Sequence, residues 1–256
     1  MQHSYIDRYW DLESPIHKVD PRFKILICVG FILFVIFTSP ASLLAFALYG
    51  ALLAILIGLS KVPWRFILMR SLVIIPFVLM VAIFIPFIKK GQVAGGYSLG
   101  SLKLTVTYDG LMIFWNVLIK AFLSIILVTL LISTTKFTQF LKALQRLKIP
   151  LIFIMILSFM YRYIFVITDE LEIMFRAKKA RSVGGSKWFH IKTLSNMLGV
   201  LFLRSYEKGE TVYLAMCSRG YSGDIKTIDE MYITKSDVAL SIVVFFILGC
   251  IRFFLV

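Results

Sequence analysis

The sequence contains few of the residues from which metal sites and disulfide frameworks are built. Among its 256 residues are three Cys, three His and 14 Asp or Glu. The cysteines show no Cys-X-X-Cys spacing, and no two histidines lie three or four positions apart. This pattern predicts neither a disulfide framework nor a zinc-type helix motif. We expect no metal site and no cofactor.

Charged residues are also scarce, and apolar residues dominate. Only 16% of the chain is charged, whereas soluble domains carry about 25%. Hydrophobic residues make up 59%, and the mean hydropathy is +0.88. This composition indicates an integral membrane protein. We interpret the net charge of +14 as Lys and Arg in cytoplasmic loops, and we expect no nucleic-acid partner.

Apolar runs long enough, or nearly so, to cross a hydrocarbon core of about 30 Å account for much of the chain. We predict an all-α integral membrane protein with about five transmembrane helices. Long amphipathic cytoplasmic helices are expected between the fourth and the last. The predicted crossings are 23–39, 41–59, 66–88, 111–133 and 238–256.

Residues 134–237 differ from the rest of the chain. They hold 16 of the 28 Lys and Arg residues and 9 of the 14 acidic residues. If the apolar stretch 149–168 crossed the membrane, six cations after it would face outward, against the positive-inside rule. We therefore predict a cytoplasmic N-terminus and three regions, which are a membrane region at 1–133, a cytoplasmic helical region at 134–237 and a last helix at 238–256. Whether 149–168 and 191–206 are embedded in the membrane or lie on its cytoplasmic face stays open.

Two predicted helices of this region end in an arginine between small residues. Arg181 stands between Ala180 and Ser182, and the same pattern recurs as Ser218, Arg219 and Gly220. We expect glycine in a left-handed C-terminal cap at each helix end, from Gly184 and Gly185 in the first case and from Gly220 in the second. Either arginine alone suits a helix C-terminus, where a cation complements the macrodipole. The repetition favours docking, because small neighbours let a partner approach and a guanidinium binds a carboxylate through two parallel hydrogen bonds.

Three stretches carry a resemblance to a known family. They are "SPIHKVDPRFKIL" at 14–26, "ISTTKFTQFLKALQRLKIP" at 132–150, and the two arginine motifs at 180–182 and 218–220. The chain resembles the transmembrane T component of energy-coupling factor (ECF) transporters, the EcfT/CbiQ family, and is most similar to its cobalt-type CbiQ members. Ser218 stands where that family often has Ala.

The resemblance implies a non-catalytic scaffold in the inner membrane of a prokaryote. Two ABC-type ATPase subunits would contact the Arg181 and Arg219 motifs from the cytoplasm, and a substrate-binding S component would lie in the membrane. The chain itself contains no GxxxxGK[ST] phosphate loop. Membrane lipid is the other expected partner.

Methionines and aromatics on the two long helices are candidates for an adaptable contact with the S component. Ordinary packing within the chain is the alternative interpretation of each of these residues. The candidates are Met155, Phe159, Met160, Phe202 and Tyr206.

Other functions remain as alternatives. A membrane enzyme needs acid–base or metal-binding groups inside the bilayer, but no carboxylate lies within any of the five apolar runs. A stand-alone carrier or channel often shows paired repeats, which the two halves of this sequence lack. The cargo is expected to be cobalt or nickel by analogy, with a vitamin as the alternative.

Overall fold

The computed structural model describes residues 14–40, 42–88, 93–99, 102–181, 184, 186–223 and 234–255. Within these ranges the chain is predominantly helical, and the predicted all-α membrane fold is confirmed. One hairpin of two strands, β1 and β2, is added to it. The elements are α1 Pro15–Lys18, α2 Pro21–Phe37, α3 Leu43–Ser60, α4 Trp64–Ala82, α5 Ile85–Ile88, β1 Val93–Leu99, β2 Leu102–Thr107, α6 Tyr108–Thr134, α7 Phe137–Arg146, α8 Leu151–Arg181, α9 Lys187–Ser218 and α10 Lys235–Leu255.

The first two helices begin with the same local chemistry. Ser14 and Asp20 are the N-caps of α1 and α2, and a proline follows each of them directly. The Asp20 carboxylate accepts a hydrogen bond from the backbone N–H of Arg22 at 2.9 Å. Proline suits the first helical position, because its missing N–H would have no partner within the helix. The Ser-Pro and Asp-Pro pairs therefore define where α1 and α2 start.

The chain divides into two compact units. One contains Gln2–Ala143 and Met231–Val256, and its core lies where α2, α3, α6 and α10 pack together. Phe31 and Tyr49 are fully buried there and make an edge-to-face ring contact at 5.6 Å between centroids. The other unit contains Leu144–Glu230 and is built on α8 and α9.

Two lysines join α2 and α6 in antiparallel orientation. Lys24, near the start of α2, donates to the carbonyl oxygen of Thr134 at the end of α6, at 2.9 Å. Lys120 of α6 donates to the carbonyl oxygens of Ile36 and Thr38 at the end of α2, at 2.8 and 2.7 Å. Each ammonium group thus satisfies carbonyls that a helix C-terminus leaves without a partner. This pairing stabilises cations within an apolar bundle.

The hairpin lies between the predicted crossings 66–88 and 111–133, where no strand was predicted. β1 and β2 pair in antiparallel orientation, with an irregularity between Val93 and Gly95. In Leu102–Thr107 apolar residues alternate with Lys and Thr, a pattern typical of strands.

Five of the described helical segments are long and apolar enough to cross a membrane. Four of them coincide with predicted crossings. The predicted run at 23–39 forms α2, whose 17 residues extend about 26 Å, slightly less than a typical hydrocarbon core. The five are Leu43–Ser60, Trp64–Phe87, Tyr108–Thr134, Leu151–Arg181 and Lys235–Phe253.

Candidate functional site

The candidate site is carried by α8 and α9, two uninterrupted helices of 31 and 32 residues. They run antiparallel, since the end of α9 contacts the start of α8. The hydroxyl of Tyr221, just after α9, donates to Met155 Sδ near the start of α8, at 2.7 Å. Between their ends, Arg204 of α9 forms an ion pair with Glu170 of α8. The interrupted apolar stretches 149–168 and 191–206 are therefore parts of two continuous helices.

The first arginine motif lies at the end of α8. Arg181 is the last helical residue and is exposed, as is Ala180 before it, while Ser182 lies outside the described residues. The sequence predicts a left-handed glycine as the cap of this helix. Gly184 does have a positive φ of 73°, but it follows the end of α8 by three residues. Residues 182 and 183, between Arg181 and Gly184, lie outside the described residues, so the glycine cap of α8 stays a prediction.

The second motif forms the C-terminal cap of α9. Arg219 is the C-cap residue, and Gly220 after it has a φ of 82°. Backbone N–H groups of Gly220 and Tyr221 donate to the carbonyls of Cys217 and Met216, each at 3.0 Å. These two bonds define a Schellman motif, in which glycine adopts the left-handed conformation without a steric cost. The expected role of Gly220 is confirmed by this geometry.

The structure places the two arginines at opposite ends of the α8–α9 pair. Tyr221 contacts Met155, and 26 residues separate Met155 from Arg181 along α8. At 1.5 Å per residue, Arg181 and Arg219 are about 40 Å apart. Both are exposed, as is Ser218 at the end of α9. The candidate site therefore consists of two separate arginines rather than one cluster.

The apolar candidates for S-component contact form two groups. Met155 is partly buried and accepts the Tyr221 hydrogen bond, and Phe159 packs on Tyr163 at 6.4 Å between ring centroids. Exposure is 47% for Met160, 70% for Phe202 and 67% for Tyr206. Phe202 and Tyr206 flank Arg204 in α9, and Arg204 pairs with Glu170 of α8. Glu170 lies ten residues, or about 15 Å, beyond Met160 along α8, so the candidates on the two helices form separate groups.

A cleft between α8 and α9 near Arg181 was not predicted from the sequence. Lys178 and His190 reach it from the two helices, and Thr193 and Arg204 also line it. The signal for it in the sequence is a run of 25 residues, 173–197, with six cations and no carboxylate. Of these six cations, Lys178 and Arg181 line the cleft. The packing of α8 against α9 was needed to show that they share it with His190 and Arg204.

Other chemistry in this region is limited. A side-chain hydrogen bond with Cys217 raises the pKa of the exposed Tyr213 phenol one turn earlier in α9. Within the described ranges, no group of three or more His, Cys, Asp or Glu side chains is arranged to hold a metal ion.

The five apolar helical segments define a multi-pass membrane protein. The family model described as "Cobalt transport protein", CbiQ, matches residues 13–230. The chain belongs to this family, the EcfT/CbiQ transmembrane T components of ECF transporters.

Similar proteins agree with this assignment. The chain is 30% identical to the energy-coupling factor transporter transmembrane protein EcfT of Listeria innocua, over 87% of this chain and 86% of that protein. It is 28% identical to EcfT of Limosilactobacillus fermentum, over 91% of both chains. A putative fused cobalt transport protein, CbiMQ, of Methanocorpusculum labreanum is 28% identical over 83% of this chain and 36% of that protein.

Proposed function

We propose that this T component is a non-catalytic scaffold that transmits the movement of two ABC-type ATPase subunits to a substrate-binding S component. The observation that carries the proposal is the position of the two arginines, each exposed at the end of a different long helix. Two docking points about 40 Å apart suit two partner subunits, one at each end. A rigid helix behind each point would carry the motion toward the rest of the complex.

The chemistry of each docking point supports an acidic partner surface. A guanidinium presents several N–H donors in one plane, so it binds a carboxylate through two parallel hydrogen bonds. Small neighbours at Ala180, Ser218 and Gly220 leave the guanidinium groups accessible. Truncating one partner of such a desolvated pair costs about 2–5 kcal/mol.

The charge distribution supports an orientation in the inner membrane of a prokaryote. The proposed cytoplasmic region 134–237 carries 16 of the 28 cations. The positive-inside rule then places both arginine motifs and the N-terminus in the cytoplasm. The membrane regions are 1–133 and 238–256.

The exposed side chains of Met160, Phe202 and Tyr206 support an apolar contact with the S component, because flexible and aromatic groups form adaptable surfaces. The proposed cargo is cobalt or nickel. The family description and the name of the CbiMQ relative favour cobalt. An S component specific for a vitamin is the alternative.

The docking role is tested by exchanging the charge at both helix ends. The variant R181E/R219E should lose association with the ABC-type ATPase pair of the same genome when the chains are co-expressed and purified in detergent. The matched control R162E/K208E makes the same change in net charge on the same two helices, at least ten residues from their ends. A double-Glu variant that inserts and still retains the ATPases would refute the docking role.

A further inference from the structure

The connected ends of α8 and α9 enclose a cleft that has both basic and apolar walls. We call it the basic cleft. Lys178 and Arg181 reach it from α8, and His190 reaches it from α9. Lys178 and His190 are half-buried, while Arg181 is exposed at its edge. The apolar part is formed by side chains that include Met174, Phe189 and Met197.

The charge of the basic cleft is not balanced by the residues around it. Residues 173–197 contain six cations and no carboxylate. Among the described residues, no carboxylate pairs with Lys178 or Arg181. At the inner end of the cleft, Arg204 is already paired with Glu170. Lys178, Arg181 and His190 therefore remain available to an anionic occupant.

A second groove between the same helices provides an internal comparison. It lies on the other side of the Arg204–Glu170 pair and is lined by two acids, Glu170 and Glu207, and two bases, Arg204 and Lys208. Its charges balance, unlike those of the basic cleft. The excess of positive charge is thus confined to the end of the pair where α8 meets α9.

The two docking points consequently differ in chemistry. Around Arg219, residues 198–223 contain two acids, Glu207 and Glu210, and three bases. Arg219 itself is held in a Schellman cap, and it lines neither the basic cleft nor the balanced groove. The Arg219 end offers one guanidinium, whereas the Arg181 end offers a guanidinium beside a charged cavity.

We propose that the basic cleft receives an apolar segment bearing two or more carboxylates from the ATPase subunit that docks at Arg181. This inference rests on the proposed docking function and assigns its partner chemistry. Carboxylates would pair with Lys178 and His190, while apolar side chains would cover the flexible methionines. The Arg181 end then acts as a receptor for its ATPase, and the Arg219 end acts as a single contact.

An ATPase segment is favoured over a lipid headgroup because the basic cleft is continuous with Arg181, the proposed docking residue. Its basic side chains also come from two helices at fixed positions, which suits a folded partner with carboxylates at fixed spacing. Association at this end should depend strongly on salt, because several exposed or half-exposed charges contribute to it.

Photocrosslinking from the full chain tests which molecule binds in the basic cleft. A benzophenone amino acid is placed at Thr193, which lines the basic cleft, or at Thr211, which lines the balanced groove. The two threonines are matched, because each hydroxyl donates to the carbonyl four residues earlier in α9. The ABC-type ATPase pair of the same genome is co-expressed as the probe.

Thr193 should give an adduct with a carboxylate-bearing ATPase segment, in roughly tenfold higher yield than Thr211, since the acidic segment is drawn to the cations of the basic cleft. K178Q/H190Q should abolish this preference. An adduct with lipid only, an adduct within this chain only, or equal yields from both positions would overturn the proposal.

A second measurement separates this inference from the docking function. K178Q/H190Q should weaken ATPase binding by about tenfold near 50 mM NaCl, and by less near 500 mM, because salt screens the lost charges. If R181E/R219E abolishes binding while K178Q/H190Q changes nothing at either salt concentration, the basic cleft is not a receptor and docking stands. If R181E/R219E leaves binding intact, the docking function itself fails.

Discussion

Single glycines show how closely this bundle packs. A Cβ atom at Gly110, in the first turn of α6, would lie 2.7 Å from the backbone Cα of Pro86. Backbone cannot rotate away as a flexible side chain can, so α6 and the segment around α5 would have to separate. Gly50 in α3 has no atom within 4 Å of the same position. Gly110 therefore permits a close approach of two backbone segments, whereas no neighbouring atom requires glycine at position 50.

We expect Gly110→Ala to destabilise the protein by about 1–3 kcal/mol, which is typical of overpacking. Gly50→Ala should be neutral or stabilising by up to about 1 kcal/mol, because alanine favours helix. Thermal unfolding of both variants in the same detergent provides the comparison. Equal stability of the two variants would show that the contact with Pro86 relaxes without cost.

Helix termini determine where the two proposed docking residues lie. The Schellman cap of α9 holds Arg219 at the helix end, and it requires the positive φ of Gly220. A β-branched residue at that position makes the left-handed conformation strained. The direction in which Arg219 leaves the helix therefore depends on its glycine neighbour.

We expect Gly220→Val to cost about 1–2 kcal/mol locally and to fray the last turn of α9. Hydrogen exchange at the amides of Gly220 and Tyr221 should become faster, and ATPase retention should fall while Arg219 is still present. Gly199→Ala, within α9 and without neighbouring atoms, is the control and should change neither quantity. Unchanged exchange in Gly220→Val would contradict the role of this cap.

For the whole molecule, the orientation in the membrane decides whether both docking points face the same compartment. Cysteine accessibility measures this orientation, but Cys217 is exposed in α9 and would itself react. The experiment therefore starts from a Cys217→Ser background. Lys187 at the start of α9 and Pro40 between α2 and α3 are both exposed and suit as probe positions.

We expect Lys187→Cys to react with an impermeant maleimide only after the cells are permeabilised, because the positive-inside rule places this region in the cytoplasm. Pro40→Cys should react in intact cells. Labelling of Lys187→Cys in intact cells would invert or break the proposed topology and would remove both arginines from the reach of a cytoplasmic ATPase.

Much of the helical framework was accessible from local patterns. Apolar runs predicted α3, α4, α6 and α10, and the glycine in the second arginine motif predicted the cap of α9. The pairing of β1 with β2 was not predicted, because it depends on hydrogen bonds between two segments and not on the local pattern of either one.

The sequence by itself determined the class of this protein, because apolar composition, run length and the distribution of cations are properties of the chain in any conformation. It also determined that two helices end in accessible arginines. Only the tertiary structure decided that these arginines lie about 40 Å apart, at opposite ends of an antiparallel pair. It alone brought Lys178 and His190 into one cleft, because proximity between residues on different helices depends on how those helices pack, and local sequence does not specify it.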